Sequence, residues 1–319
     1  MRPIYPLSLF VCLILLSCLS GCDSVIYDDL SNCPQGVIFR FAETTPCDAK
    51  PTYPSDIKHV RVFAFDEYDI LVDIFEDDRV SLSDTYELKV PFKSSGMYSF
   101  VAWAGADLKS YTFTGMEKGK SSKSQLMVSL PPSGADPGIP AHIFVGRAAN
   151  TLDLEGQEQV GTVYHPIDIN LRELTNRIHL TLIGLPTYRN YAISLRVSNG
   201  KYDALGSLLP DDPFTYTPEV HVDGDRVKAD FTILKLEQGK EYTLTVTDKV
   251  DGKVVYTADL LKDIILAPQA SGETPPYSLE CDNDFDIQLT LQYTPDSWMV
   301  VSGFVNDWNV IRRDITPGN

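Results

Sequence analysis

The sequence predicts an all-β protein that consists of two tandem β-sandwich domains. Apolar and polar residues alternate in three runs: 177–182, 191–198 and 285–293. A period of two residues gives a strand one buried and one solvated face. Asn-Gly or Asp-Gly dipeptides, which accept the positive φ of tight hairpin turns, stand between strand-like runs at three places: 199–200, 223–224 and 251–252. Helical periodicity is scarce, and 171–174 is the best candidate for one helical turn.

The chain begins with the layout of a bacterial lipoprotein signal peptide. Arg2 precedes the apolar run 7–16, and the sequence Leu19-Ser20-Gly21-Cys22 follows, with charge returning at Asp23. Leu, two small residues and Cys form a lipobox, in which the Cys sulfur receives a diacylglycerol before cleavage. A transmembrane helix is the alternative, because the uncharged run is long enough to span a bilayer. Its strongly apolar part is short, however, which favours a signal peptide at 1–21 and a lipidated tether at 22–35.

Strands are expected throughout the first domain, which we place at 36–165. The predicted strands are 37–41, 57–65, 70–75, 86–90, 97–103, 125–130 and 142–146. The polar residues 66–69 would form a hairpin turn between the second and third of them. Residues 131–140 include four prolines, which lack the amide donor that a strand ladder needs, so a loop is expected there.

The second domain is placed at 166–319, because the regular two-residue alternation starts soon after the Gly- and Glu-rich segment 154–161. Its predicted strands are 177–182, 191–198, 227–233, 242–246, 254–256, 285–293, 299–301 and 308–311. Short strands at this spacing are typical of β-sandwiches.

Three cysteines remain if the leader is removed and Cys22 is lipidated: Cys33, Cys47 and Cys281. An exported protein folds in an oxidising compartment, where disulfides persist. Cys33 and Cys47 are the expected pair, because both lie near the mature N-terminus. The alternative, that all three are buried free thiols, stays open, since sequence spacing does not test disulfide geometry.

Composition and motifs favour no catalytic or cofactor-binding function. The net charge of −17 makes nucleic acid and anionic lipid surfaces poor partners. The acidic residues at 282–286 resemble a calcium loop, but Ile287 stands where that loop needs glycine and Tyr293 where it needs glutamate. No Gly-x-Ser-x-Gly elbow and no pair of histidines at metal-ligand spacing is present. We therefore expect a protein that is not an enzyme, with no cofactor and no metal.

The chain resembles the FimB-type fimbrial anchor lipoproteins of type V pili, found in the Bacteroides group. The matching residues are distributed over most of the mature chain: 22–23, 26–34, 37–41, 60–66, 71–72, 175–185, 199–203, 231–236, 277–287 and 305–308. The resemblance implies two transthyretin-like β-sandwich domains and a place at the base of a fimbria, at the cell surface. It also implies attachment to the outer membrane through the lipid on Cys22.

In such pili, subunits join by strand addition, in which an extended segment of one subunit completes a sheet of the next. The partner expected here is the adjoining fimbrial stalk subunit. We expect the C-terminal segment, with Trp308, Val310, Ile311 and Ile315, to be the subunit-joining strand. Its β-forming residues alternate at a free end of the chain. The alternative is that this segment is the last strand of the second domain and never leaves it.

A second functional hypothesis is a surface adhesin or glycan-binding lipoprotein. The loops at 109–123 and 131–140 are long enough to form a binding site for a host glycan or protein.

Overall fold

The structure is a computed structural model, and it describes residues 33–92, 95–131, 138–154, 161–267, 273–294 and 297–312. The lipobox with Cys22 and the predicted strand residue Ile315 lie outside the described residues. The all-β prediction is confirmed, since 21 strands and only short helical segments make up the described chain.

The first ten strands belong to the N-terminal half of the chain. They are β1 (Gln35–Glu43), β2 (His59–Phe65), β3 (Leu71–Asp77), β4 (Leu88–Pro91), β5 (Met97–Gly105), β6 (Thr112–Phe113), β7 (Met127–Ser129), β8 (Ile143–Ala148), β9 (Leu152–Asp153) and β10 (Val163–Glu173). Eight of them form one sheet in the order β3-β2-β5-β8-β10-β1-β4, with β9 paired to β5. The two faces of this sheet carry separate apolar cores.

The hairpin predicted between the second and third strands is confirmed, because β2 and β3 pair antiparallel. The side chain of Asp66 fixes the turn, since its Oδ1 accepts hydrogen bonds from the amides of Tyr68 and Ile70, both at 2.9 Å. Asp69 adopts φ 59° in this turn. Asp is one of the few non-glycine residues that tolerate this conformation.

The remaining strands follow the C-terminal half. They are β11 (Thr175–Ile183), β12 (Tyr191–Val197), β13 (Lys201–Asp203), β14 (Phe214–Tyr216), β15 (Val220–Asp223), β16 (Arg226–Leu234), β17 (Thr243–Asp248), β18 (Val254–Asp259), β19 (Asp284–Tyr293), β20 (Trp298–Val305) and β21 (Trp308–Arg312). A π-helix, Leu260–Ile265, follows β18.

Two sheets of the C-terminal half pack into a sandwich. One has the order β15-β16-β11-β19-β20-β21 and the other β14-β12-β17-β18. The residues predicted to face inward do so: Ile178, Leu180 and Leu182 of β11 are at most 1% exposed and contact the same core as Ile193 of β12. The alternation read from the sequence therefore identifies the buried face of these strands correctly.

The predicted domain boundary between residues 165 and 166 is wrong, because it falls inside β10. This strand pairs parallel with β1 and antiparallel with β8, so it belongs to the N-terminal sheet up to Glu173. The helical turn expected at 171–174 is also wrong, since Leu171 and Glu173 are paired residues of the same strand. The halves are not independent either: β13 of the second pairs with β7 of the first in a three-stranded sheet.

The predicted Cys33–Cys47 disulfide is wrong. Cys47 pairs with Cys281, and their Cα atoms lie 5.8 Å apart, while Cys33 is a free, half-buried thiol. The nine residues of β1 separate Cys33 from Cys47. An extended strand of nine residues is about 30 Å long. It therefore holds these two cysteines far beyond the distance of about 7 Å that a disulfide can bridge.

Candidate functional site

The C-terminal hairpin places the predicted subunit-joining strand at the edge of a sheet. Asn306 and Asp307 connect β20 to β21 with φ values of 48° and 63°, and positive φ at both central residues defines a type I′ turn. The Asn306 side chain fastens this turn to β19: its Oδ1 accepts from the Asp286 amide at 2.8 Å, and its Nδ2 donates to the Asp284 carbonyl at 3.1 Å. The hairpin is thus bonded to the body of the sheet.

Side chains of β21 are part of the C-terminal core. Val310 is 7% exposed, and Trp308 and Ile311 pack against the same core. The indole Nε1 of Trp308 is buried and has no hydrogen-bond partner within the described part of the chain. The structure therefore places three of the four predicted residues in the last strand of the sheet, as the alternative interpretation had it. The fourth, Ile315, is not described.

An open groove of about 1420 Å³ is lined by Ile311 of β21 and by the first residues of β20, Trp298, Met299 and Val300. All six residues of β18, the edge strand of the facing sheet, also line it. The π-helix lines part of the groove with Leu261 and Lys262. The apolar residues of the lining include Val254, Tyr256, Ala258, Trp298, Met299 and Ile311. Two edge strands beside a partly apolar cleft form a surface on which an added strand could find both hydrogen bonds and side-chain pockets.

A second cleft of about 520 Å³ continues from this groove past Trp298. The exposed fractions are 86% for Tyr188, 59% for Val254 and 63% for Tyr293, all of which line it. The rings of Tyr293 and Trp298 meet edge to face, with centroids 5.2 Å apart. Exposed apolar side chains that gather in this way mark an interaction surface more often than scattered ones do.

The loop at 109–123, which the sequence predicts as a candidate binding loop, is hydrogen-bonded to β3. Gly119 donates its amide to the Leu71 carbonyl at 2.7 Å, and the Leu71 amide donates to Ser121 at 2.8 Å. Lys118 and Lys123 add ion pairs to Asp73 and Asp69. The second predicted loop lies largely outside the described residues, which resume at 138.

An ion-pair network around the buried carboxylate of Glu173 joins the two halves where β10 passes into β11. Arg177 donates to Glu173 at 2.6 Å and to Asp284 at 2.5 Å, and Asn283 donates to Glu173 at 2.9 Å. The side chain of Glu173 is only 7% exposed. Burial alone would lower the pKa of Arg177, but its two carboxylate partners outweigh burial and raise it. Asn283 and Asp284 of the acidic segment thus belong to this junction, where Arg177 also lowers the pKa of Asp284.

Burial and the nearby carboxylate of Glu173 raise the pKa of Glu43 to about 7. Because the fold favours the protonated acid, stability should fall as the pH rises from about 4.5 to about 7 and stay level above that. We expect Glu43→Gln to raise the melting temperature at pH 8 but to change it little at pH 4.5. Thermal unfolding at both pH values measures this, with the exposed Glu241→Gln as the control. An equal effect of Glu43→Gln at the two pH values would contradict the prediction.

Among the described residues, no cluster of three or more His, Cys, Asp or Glu side chains is placed to hold a metal ion. Likewise, none of the helical segments described is both long and apolar enough to cross a membrane.

In sequence and in fold, the chain is similar to proteins that anchor fimbriae. The family model of the fimbrillin-A associated anchor proteins Mfa1 and Mfa2 matches residues 30–314. The minor fimbrium anchoring subunit Mfa2 of Porphyromonas gingivalis is 34% identical over 304 residues, which cover 93% of this chain and 92% of that protein. The chain therefore belongs to the family of fimbrillin-A associated anchor proteins, which confirms the resemblance found in the sequence.

Solved structures share this fold. The fimbrial anchor protein Mfa2 from Porphyromonas gingivalis superposes with a TM-score of 0.77 at 32% identity, over 88% of this chain and 100% of that one. A Bacteroides thetaiotaomicron protein described as polysaccharide-binding gives a TM-score of 0.72 at 21% identity, over 88% and 99% of the two chains. At that identity the second likeness concerns the fold alone.

Proposed function

We propose that this protein anchors a fimbria to the outer membrane. In this proposal the lipid on Cys22 holds the membrane, and β21 joins the adjoining stalk subunit by strand addition. Family membership over most of the chain supports a structural rather than an enzymatic role. The observation that carries the joining step is the position of β21, an edge strand with a neighbouring strand on one side only among the described residues.

We propose further that β21 works in place and does not leave its sheet. Val310 is a core residue, and the side chain of Asn306 bonds the turn to β19, so extraction of the strand would open the sandwich. An extended segment of the stalk subunit would instead pair with the outer edge of β21. Its side chains would enter the groove between β21 and β18.

The experiment is a proline substitution at the outer edge. In a two-residue hairpin, the two residues that close the turn exchange backbone hydrogen bonds, and the next pair does not. Here Val305 and Trp308 close the turn, and Phe304 and Asn309 are the next pair. The amide of Asn309 therefore points away from β20. Asn309→Pro removes this donor and blocks an added strand, whereas an edge position tolerates proline within the protein itself. We expect the affinity for the stalk subunit to fall roughly ten- to hundredfold.

The opposite edge of the same sheet supplies a matched control. Val222 in β15 is also one residue away from the pair that closes a two-residue turn, and it is 49% exposed. Val222→Pro should leave fimbriae attached and the stalk subunit co-purifying with the anchor. If Asn309→Pro folds and binds the stalk subunit as tightly as Val222→Pro, the joining surface is not β21. An Asn309→Pro variant that sheds fimbriae while it still binds the stalk subunit would also contradict the proposal that β21 is the joining surface.

A further inference from the structure

The disulfide connects the two ends of the described chain. Cys47 lies in the turn region that follows β1, and Cys281 lies in the turn before β19, 234 positions later. β1 is the first described strand, and β19, β20 and β21 are the last three. A short covalent path therefore runs from β1 through the disulfide into the strands that end at β21. The rest of the chain lies outside this path.

We propose that the Cys47–Cys281 disulfide transmits mechanical tension through the protein. Tension applied between the N-terminal tether and β21 would pass through this bond and bypass residues 48–280. This inference rests on the proposed function, because an anchor held by lipid at one end and by a fimbria at the other is loaded between these two points.

The N-terminal part of the path is built to be loaded along a strand. β1 runs toward Cys47 and lies between two neighbours, so it is not an edge strand. It pairs with β10 in parallel along all nine of its residues and with β4 from Gly36 to Phe39. A pull on the N-terminal end of β1, with Cys47 held, acts along the strand axis. It therefore loads many ladder hydrogen bonds at once instead of opening them one by one.

The C-terminal part of the path is also loaded along the axes of its strands. β19 runs away from Cys281 and is paired on both sides, in parallel with β11 and antiparallel with β20. β21 is also antiparallel to β20, so it points in the same direction as β19. A pull on the C-terminal end of β21 is thus directed along the strands and away from the disulfide.

The bypassed region, residues 48–280, contains the parts of the fold that depend on packing between the two halves. These include the three-stranded sheet, in which β7 pairs with β13, and Glu173 and Arg177 of the ion-pair network. With the disulfide closed, tension cannot lengthen the chain between Cys47 and Cys281, even if β1 or β21 slips. Without it, the same tension would be transmitted through every strand from β2 to β18.

Single-molecule stretching of the chain from residue 22 to its C-terminus, with peptide-tag handles at both ends, tests the link directly. An extended chain spans about 3.3–3.6 Å per residue, so the bypassed segment holds roughly 800 Å of length. The oxidised protein should unfold without releasing this length. The Cys47→Ser/Cys281→Ser double variant should release it, and Cys33→Ser, which keeps the disulfide, should behave like the natural chain. Release of the full length by the oxidised natural chain would overturn the proposal.

Reduction of the natural chain by a phosphine serves as a second route if the double variant does not fold. The reduced protein should show the additional roughly 800 Å, and an unchanged extension would overturn the link. Circular dichroism at zero force checks that each sample is folded before it is pulled.

A flow-chamber experiment separates this inference from the proposed function. Cells with the double variant should keep fimbriae in still culture but shed several-fold more of them under flow than cells with the natural protein. Equal shedding under flow would overturn the proposal that the disulfide transmits the tension. If cells that lack the whole protein keep their fimbriae, the anchor proposal fails, whereas the result of the stretching experiment stands by itself.

Discussion

Replacing Cys22 with alanine is expected to release the protein and any attached fimbriae from the cell. The lipobox thiol is the proposed attachment point for a diacylglycerol, and two acyl chains are enough for stable membrane attachment, whereas one chain is marginal. Alanine offers no sulfur for the thioether bond. Immunoblots of the membrane fraction and the medium, together with electron microscopy of the cells, measure the redistribution.

The thiol at position 33 provides the control for this experiment. Cys33 is free and half-buried, and it lies only a short distance along the chain from Cys22. Cys33→Ala should leave the protein in the membrane fraction. If Cys22→Ala leaves both protein and fimbriae on the cell, the lipid attachment is wrong. If the protein is shed while fimbriae remain, the lipid attachment stands but the anchor role does not.

The buried faces of the C-terminal strands could be predicted because each of these strands has one buried face and one face exposed to solvent. Phe285, Ile287, Leu289 and Leu291 of β19 alternate with polar residues in the sequence, and all four are buried. The turns were predictable where a glycine supplies positive φ, as at Gly224 and Gly252, with φ values of 63° and 70°. A period of two is a local property, so it needs no knowledge of the partner strand.

The Asn199-Gly200 turn shows where local signals fail. Asn199 is buried and donates to the Leu234 carbonyl at 2.8 Å, and β12 pairs with β14 and β17 instead of the strand that follows it. Conversely, the type I′ turn at Asn306-Asp307 is not among the turns predicted from the sequence. Its signal is present, since Asn and Asp tolerate positive φ and stand between two strand-like runs.

Long-range features of the site could not be predicted from the sequence. The choice of Cys281 as the partner of Cys47 depends on how the turn before β19 meets the turn after β1. That placement follows from packing of whole sheets. The same holds for the pairing of β7 with β13 and for the groove between β18 and β21. Each requires two segments far apart in the chain to lie side by side, and no periodicity within one segment reports this.

Arg177→Ala is expected to lower the free energy of unfolding by about 3 kcal/mol, because it leaves the buried Glu173 carboxylate without its hydrogen-bonded cation. The two side chains are 23% and 7% exposed. Glu173 keeps hydrogen bonds from Thr175 and Asn283, which is why we expect a value at the lower end of the range for broken buried pairs. Urea unfolding at neutral pH measures the change.

An exposed ion pair provides the comparison. Arg40 and Glu87 pair at 2.6 Å with side chains that are 48% and 40% exposed, so Arg40→Ala should leave the free energy of unfolding nearly unchanged. Adding Glu173→Gln to Arg177→Ala should recover part of the lost stability, because the uncompensated charge is removed while the side chain can still accept the hydrogen bond from Asn283. Equal losses for Arg40→Ala and Arg177→Ala, or a double variant weaker than Arg177→Ala alone, would show that burial of Glu173 does not determine the stability of the junction.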